Sequence, residues 1–205
     1  MKKKFVFLLA FLNNYKKKLF KIIIYETYYS IKYFESGAYM RLQDNDSRTD
    51  TIPCSFYFLH KISKFINKKK IKNVADLGSG FGRVTNFLND KTSAYISGYE
   101  LDKEVFDISI KKKNKNVIIK NEDILDVNYN TLNIQCFILN DPLKKEKDLE
   151  KLLEKIGLSK INSEQNFYII AINIQSNLIA KKFKLIKSIN AGSARFLKIY
   201  TNKKY

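Results

Sequence analysis

The 205-residue chain contains seven glycines, and three of them fall in one pentad, Gly78-Ser79-Gly80-Phe81-Gly82. The pentad follows an apolar run, Val74-Ala75-Asp76-Leu77, and precedes a helical pattern that starts near Arg83. A glycine-rich turn between a strand and a helix lets a ligand approach the backbone N–H groups of the helix N-terminus. One glycine would serve a tight turn; three at alternate positions in a glycine-poor chain call for a ligand. The spacing then selects among nucleotides. A dinucleotide fingerprint built on Gly78 and Gly80 needs glycine at position 83, where Arg83 stands, and no Gly-Lys-Ser/Thr follows to make a P-loop. What remains is D-x-G-x-G-x-G, from Asp76 to Gly82.

Three more polar points fall in register with it. Glu100 lies 24 positions after Asp76, at the end of the next predicted strand, where a carboxylate can accept from two ribose hydroxyls. Asp123, in Asn121-Glu122-Asp123-Ile124, follows a third strand and is placed to meet a base edge. Asn140-Asp141-Pro142-Leu143 closes a fourth. All four segments finish on the carboxyl edge of one sheet, where open α/β sheets bind ligands.

The elements that must position these residues show in the hydrophobic pattern. Asn73–Leu77, Ala94–Glu100, Val117–Asn121, Ile134–Asn140 and Phe167–Ile172 read as strands, and Arg83–Asn89, Lys103–Lys113 and Lys144–Ile156 between them as helices. Such alternation implies right-handed crossovers and a parallel sheet covered on both faces. Phe183–Ile189 and Arg195–Thr201, separated by Asn190-Ala191-Gly192-Ser193-Ala194, predict an antiparallel hairpin at the sheet edge. The expected fold is α/β: a Rossmann-like, seven-stranded, mostly parallel sheet with helices on both faces, a C-terminal antiparallel hairpin and an N-terminal helical arm.

Three segments are expected: a basic amphipathic helical arm over residues 1–35, a polar loop or lid over 36–53, and a ligand-binding domain over 54–205. In the arm, Lys2, Lys3, Lys4, Lys16, Lys17, Lys18 and Lys21 precede the first acid, Glu26, while Phe5, Leu8, Leu9, Leu12, Leu19, Phe20 and Ile23 recur at helical spacing. The apolar run from Phe5 to Leu12 falls short of the about 20 residues that span a bilayer. Two readings stand: a helix packed on the domain, or residues 2–24 lying peripherally on an anionic membrane surface with lysines outward. A helix near Cys54 to Lys68 carries the single histidine, His60, which reads as a surface or packed residue.

Composition bounds the rest. The net charge of +18 comes from 38 basic and 20 acidic residues, but Arg41, Arg48, Arg83 and Arg195 are the only arginines. A chain selected to read phosphate favours the planar fork of arginine as well; so lysine-rich a balance reads as a solvated surface and assigns no partner. Two cysteines exclude a disulfide scaffold and a cysteine-based zinc site, and one histidine excludes a His-rich metal centre, so no metal site is expected.

With VADLGSGFGRV from Val74, GYELD from Gly98, NEDIL from Asn121 and FILNDPL from Phe137, the chain resembles the class I S-adenosylmethionine-dependent methyltransferases over roughly residues 54–202. The resemblance implies S-adenosyl-L-methionine as cofactor. It places Asp76, Gly78, Ser79, Gly80 and Gly82 around the methionine part, Glu100 on the ribose, Asp123 on the adenine amino group, and Asn140 beside the transferred methyl. Asn140 and Asp141 are then the catalytic candidates, Asp141 as proton acceptor for an amine. Arg48-Thr49-Asp50-Thr51-Ile52-Pro53 would fold over the cofactor, with Ser36–Asp50 as lid or substrate selector.

LGSGFGRV with GYEL looks like a branch that contains protein-lysine methyltransferases, some of them membrane-associated. The chain departs from the Asn/Asp-Pro-Pro-aromatic tetrad that grips planar amines, since Asp141 and Leu143 replace the first proline and the aromatic. The implied acceptor is accordingly a protein lysine or a small metabolite, ahead of nucleic acid, in the cytoplasm or on the inner face of a membrane. The alternative is a non-catalytic basic module docking on RNA or an anionic membrane. A nicotinamide oxidoreductase fails on the glycine spacing.

Overall fold

The computed structural model describes residues 19–33, 50–111, 115–161, 166–192 and 195–202. Helix α1 (Leu19–Lys32) and helix α2 (Phe56–Lys69) precede the alternating region. There follow β1 (Asn73–Leu77), α3 (Arg83–Lys91), β2 (Tyr95–Glu100), α4 (Lys103–Ser109), β3 (Val117–Asn121), a 3-10 turn (Tyr129–Thr131), β4 (Cys136–Asn140), α5 (Glu146–Ile161), β5 (Tyr168–Ile172), α6 (Leu178–Lys182), β6 (Lys184–Asn190) and β7 (Phe196–Thr201). The seven strands form one sheet in the order β3-β2-β1-β4-β5-β7-β6. The first five are parallel, and β7 lies antiparallel between β5 and β6. The expected α/β architecture and its terminal hairpin are present. The order reverses between β1, which continues outward to β2, and its other neighbour β4, so the switch point at which open α/β sheets take ligands falls at those two strand ends.

Side chains alternate across the sheet and so divide the core in two. Val74, Ile96, Cys136, Ile138 and Ile170 join α1, α2 and α3 through Ile22, Tyr29, Phe56, Leu59, Phe87 and Leu88. Ala75, Leu77, Phe137, Leu139 and Ile169 face the other way, onto Leu149, Leu152, Leu153 and Ile156 of α5. Both faces are covered, which accounts for the near-continuous apolar runs of β4 and β5.

Capping explains where several helices differ from the sequence expectation. Helix α2 begins at Phe56 rather than Cys54 because the Ser55 side chain accepts from Phe58 N and closes the first turn. Helix α4 starts on Asp102, which accepts from the N–H groups of Glu104 and Val105, and it stops at Ser109, short of the expected Lys113. Helix α5 begins two residues later than expected, at Glu146, and runs on to Ile161. The single-turn α6 was not anticipated.

The described part of the arm packs on the domain. Ile22 is fully buried and Tyr29 nearly so, stacked among Phe56, Phe87 and Tyr33. Glu26 accepts from Phe56 N at 2.6 Å and pairs with Arg83, whose guanidinium lies over the Phe56 ring. Lys32 and Tyr33 both reach Asp90 at 2.8 Å. Burying a side chain the size of Ile22 stabilises by about 1.5–3 kcal/mol, whereas an exposed ion pair such as Lys32–Asp90 is worth about 0–1 kcal/mol. Apolar contact, rather than charge, holds this helix. Residues 1–18 and 34–35 of the arm and 36–49 of the expected lid lie outside the described residues.

Candidate functional site

The turn after β1 is held open by three left-handed glycines, Gly78 (φ +82°), Gly80 (φ +54°) and Gly82 (φ +81°). Gly78 N and Ser79 N both donate to Tyr99 O, and Gly82 N donates to Ser79 O, so the loop curls back over the end of β2. Close approach fixes two of the glycines as firmly as dihedral angle does. A Cβ on Gly78 would stand 2.9 Å from Pro142 Cβ, and one on Gly80 would stand 2.9 Å from Thr51 Cγ2. The loop is thus wedged between the turn after β4 and the segment before α2.

Gly78→Ala therefore adds both left-handed strain and overpacking, together about 2–5 kcal/mol. The expected result is a melting temperature lower by several degrees. Gly157→Ala is the control: no atom lies within 4 Å of a Cβ built there, inside α5, and the change is expected to be neutral or stabilising. Equal melting of both variants would show that the loop tolerates a side chain.

Glu100 stands at the centre of the edge. Its Oε2 accepts from Gly80 N at 2.8 Å and its Oε1 from Asp102 N at 2.9 Å, while Asn121 Nδ2 steadies the chain behind it by donating to the carbonyls of Glu100 and Leu101. Burial pushes its carboxyl above the ordinary carboxylate range, against the opposing pull of the two N–H donors. Asp76 is buried beneath the loop, and its Oδ2 has no hydrogen-bond partner among the described residues; neither does the buried Ser79 Oγ. Burial first, and then the neighbouring Glu100 charge, raise the Asp76 carboxyl to about 8.

Asp123 lies one strand further out. Its Oδ1 accepts from Leu125 N at 2.8 Å, and the preceding residue, Glu122, donates from its backbone to Glu100 O. On the other side, Asn140 Nδ2 donates to Ile52 O at 2.8 Å, tying β4 to the segment before α2 and leaving Oδ1 as the acceptor end of that amide. Asp141 follows with φ +47°, a backbone conformation that aspartate tolerates better than most residues. Burial raises its carboxyl and the charge of Arg195 opposes the rise.

The nine candidate residues thus occupy the ends of β1 to β4. Asp76, Gly78, Ser79, Gly80, Gly82 and Glu100 form one contiguous cluster, Asn140 and Asp141 flank it at β4, and Asp123 flanks it at β3. Thr51 and Ile52 belong there too, on the described half of the segment expected to fold over the ligand. Arg195 and the Glu26–Arg83 pair escape sequence reasoning, because each is joined to the site only by tertiary contact. His60 is elsewhere, on α2 against Tyr25, with its imidazole pKa lowered chiefly by burial.

Comparison with known proteins bears on the fold. No protein-family model matches the chain. Over 74 residues it is 39% identical to ribosomal RNA small subunit methyltransferase A of Mesomycoplasma hyopneumoniae (strain 232), a stretch covering 36% of this chain and 28% of that protein. Over 105 residues it is 30% identical to the protein of the same name from Hydrogenobaculum sp. (strain Y04AAS1), covering 46% and 41%. The chain spans less than half the length of these curated relatives. Among solved structures, N-methyltransferase NodS from Bradyrhizobium japonicum WM9 superposes with a TM-score of 0.57 at 9% identity, over 72% of this chain and 96% of that one. The magnesium protoporphyrin IX methyltransferase of Synechocystis PCC 6803, solved with bound SAM, gives a TM-score of 0.54 at 9% identity, over 71% and 77%. The fold is that of the class I S-adenosylmethionine-dependent methyltransferases.

Proposed function

We propose that a chain with this fold and this strand-end site is a methyltransferase with S-adenosyl-L-methionine as its cofactor. The observation that carries the reading is the Glu100–Gly80 hydrogen bond, which joins the glycine loop to the strand-two carboxylate in one rigid cradle. Two further features fit the cofactor. The loop is closed to side chains at Gly78 and Gly80, so that backbone alone lines it there. The buried, unpartnered Asp76 Oδ2 and Ser79 Oγ are suited to meet a cationic amine and a polar ligand atom. Asp76 and the stretch from Gly78 to Gly82 would hold the methionine part, Glu100 the ribose and Asp123 the adenine amino group.

Bound there, the cofactor supplies a methyl group on a sulfonium centre. The chain's own task is alignment and exclusion of water, which can be worth about 7–11 kcal/mol. Asn140, held by Ile52, would orient the acceptor. An acceptor amine with a pKa near 10.4 must first lose a proton, and the Asp141 carboxyl, raised by burial, is the group at this edge suited to take it.

The favoured acceptor is an amine of a protein lysine or small metabolite. RNA is the second reading, favoured by the names of the curated relatives; Leu143 weighs against it, since it offers no aromatic ring on which an extruded base could stack. Incubating the protein with methyl-labelled cofactor and cell extract separates them, because label removed by protease or recovered in the small-molecule fraction supports the first and label removed by ribonuclease the second. Asp141→Asn is expected to lower turnover by about 10²–10⁴-fold with cofactor affinity unchanged. Weakened cofactor binding with normal turnover at saturation would refute the role given to Asp141.

A further inference from the structure

Helix α1 is apolar on two opposite faces. Ile22, Tyr25, Glu26, Tyr29 and Tyr33 form the face turned to the domain. On the other side Phe20 (76% exposed), Ile23 (40%), Ile24 (50%), Tyr28 (57%) and Ile31 (70%) are open to solvent. At about 100° per residue these five span an arc of roughly 140°, interrupted only by Thr27. Elsewhere among the described residues large exposed apolar side chains occur in ones and twos, whereas here five share one face of one helix. A continuous stripe of this kind is an interaction surface.

Charge identifies the partner. Through residue 33 the chain carries eight lysines, Lys2, Lys3, Lys4, Lys16, Lys17, Lys18, Lys21 and Lys32, against a single acid. That acid, Glu26, is turned inward onto Phe56 N and Arg83. Lys32 is held by Asp90, and the other seven leave the sequence before and into the exposed stripe strongly basic. An apolar helix face in a lysine-rich stretch of sequence matches the interface of an anionic bilayer, where each lysine near the surface adds about 1 kcal/mol. Among the described residues no helix is long and apolar enough to cross a membrane. We infer that the exposed face of α1, through Phe20, Ile23, Ile24, Tyr28 and Ile31, docks this protein peripherally on an anionic lipid surface. Because the opposite face of the same helix is packed on the domain, docking holds the domain itself at the bilayer.

Co-flotation of the full chain with vesicles tests this, using phosphatidylcholine alone and phosphatidylcholine containing about a third phosphatidylglycerol. The expected result is at least about tenfold stronger partition onto the anionic vesicles. Ile24→Ser/Ile31→Ser, at exposed positions, should lose most of that partition while melting as the wild type does; Phe20→Ser/Tyr28→Ser serves equally should the first pair fail to fold. Equal partition onto both vesicle types, or variants that float like the wild type, overturns the inference. So does a lipid-free melting temperature several degrees lower in both variants, which would show the face covered by another part of the chain. A lipid-free dimer in sedimentation velocity that the variants dissociate, without vesicle binding, would assign the face to a second copy instead.

Discussion

Replacing Glu100 with alanine is expected to abolish the rise in melting temperature that S-adenosylmethionine gives the wild-type chain. A ligand at 100 times its dissociation constant adds about 2.7 kcal/mol of stability, which for a chain of this length is roughly 5–10 °C. Two effects combine to remove it. The carboxylate offers about four lone-pair positions; Gly80 N and Asp102 N take one on each oxygen, which leaves one on each for a ribose diol. Alanine deletes that acceptor pair, and it also strands the two N–H groups, at about 1–3 kcal/mol for each that stays unsatisfied.

The variant should accordingly melt below the wild type even without ligand. Glu100→Gln is not a benign substitute, because the NH2 end of the amide must face one of those two donors. Scanning calorimetry of the three proteins, with and without cofactor, checks the prediction. An undiminished cofactor shift in the alanine variant would remove Glu100 from the site.

The second large effect concerns Asp76. Its carboxyl is raised from about 3.8 in the unfolded chain to about 8, chiefly by burial, so between those pH values the folded state holds a proton that the unfolded state has released. Stability from this group is fully present below about pH 4 and is lost as the pH rises toward 8, at up to about 1.4 kcal/mol per pH unit. An asparagine at this position cannot ionise. The advantage of Asp76→Asn over the wild type in ligand-free melting should therefore widen from pH 5 to pH 8 and then level off. The same variant should bind cofactor poorly, since asparagine cannot give up a proton to become the counter-charge of a bound ammonium group, as the Asp76 carboxyl can. A melting difference that does not change with pH would show that Asp76 is ionised in the folded protein throughout.

Both residues were legible in the sequence, and the reason is geometric. Parallel strands joined by helices deliver their carboxyl ends to a single edge, so a glycine pentad after β1 and an acid after β2 meet whatever lies between them. The strands were equally plain, because β4 and β5 are buried on both faces and carry unbroken apolar runs, and β1 is interrupted only at Asp76. Helix ends were less so. Whether α2 starts at Cys54 or Phe56 depends on whether Ser55 turns its hydroxyl onto Phe58 N, and α6, at one turn, is too short to show a period.

Hidden altogether were the contacts between distant segments. Glu26 and Arg83 are 57 residues apart, and Asn140 and Ile52 are 88 apart. Nothing local marks them. The ion pair nonetheless holds Arg83 at the first turn of the helix that follows the glycine loop, and the amide fixes one of the two catalytic candidates.

The strand order also bears on how the chain reaches this structure. The β6–β7 hairpin closes over a short stretch, pairing Asn190 with Phe196; elements of that kind form in about 1–10 μs. The central ladder is different: Val74 of β1 pairs with Cys136 of β4, and everything that makes up α3, β2, α4 and β3 lies between them. Closing so long a loop costs chain entropy before any contact compensates it, and parallel pairings of this separation are slow. On contact-order grounds the seam between β1 and β4 is the pairing of the sheet expected to form last. The two halves of the proposed site meet across that seam, so a partly folded chain can display either half but completes the site only when the longest-range pairing of the sheet has formed.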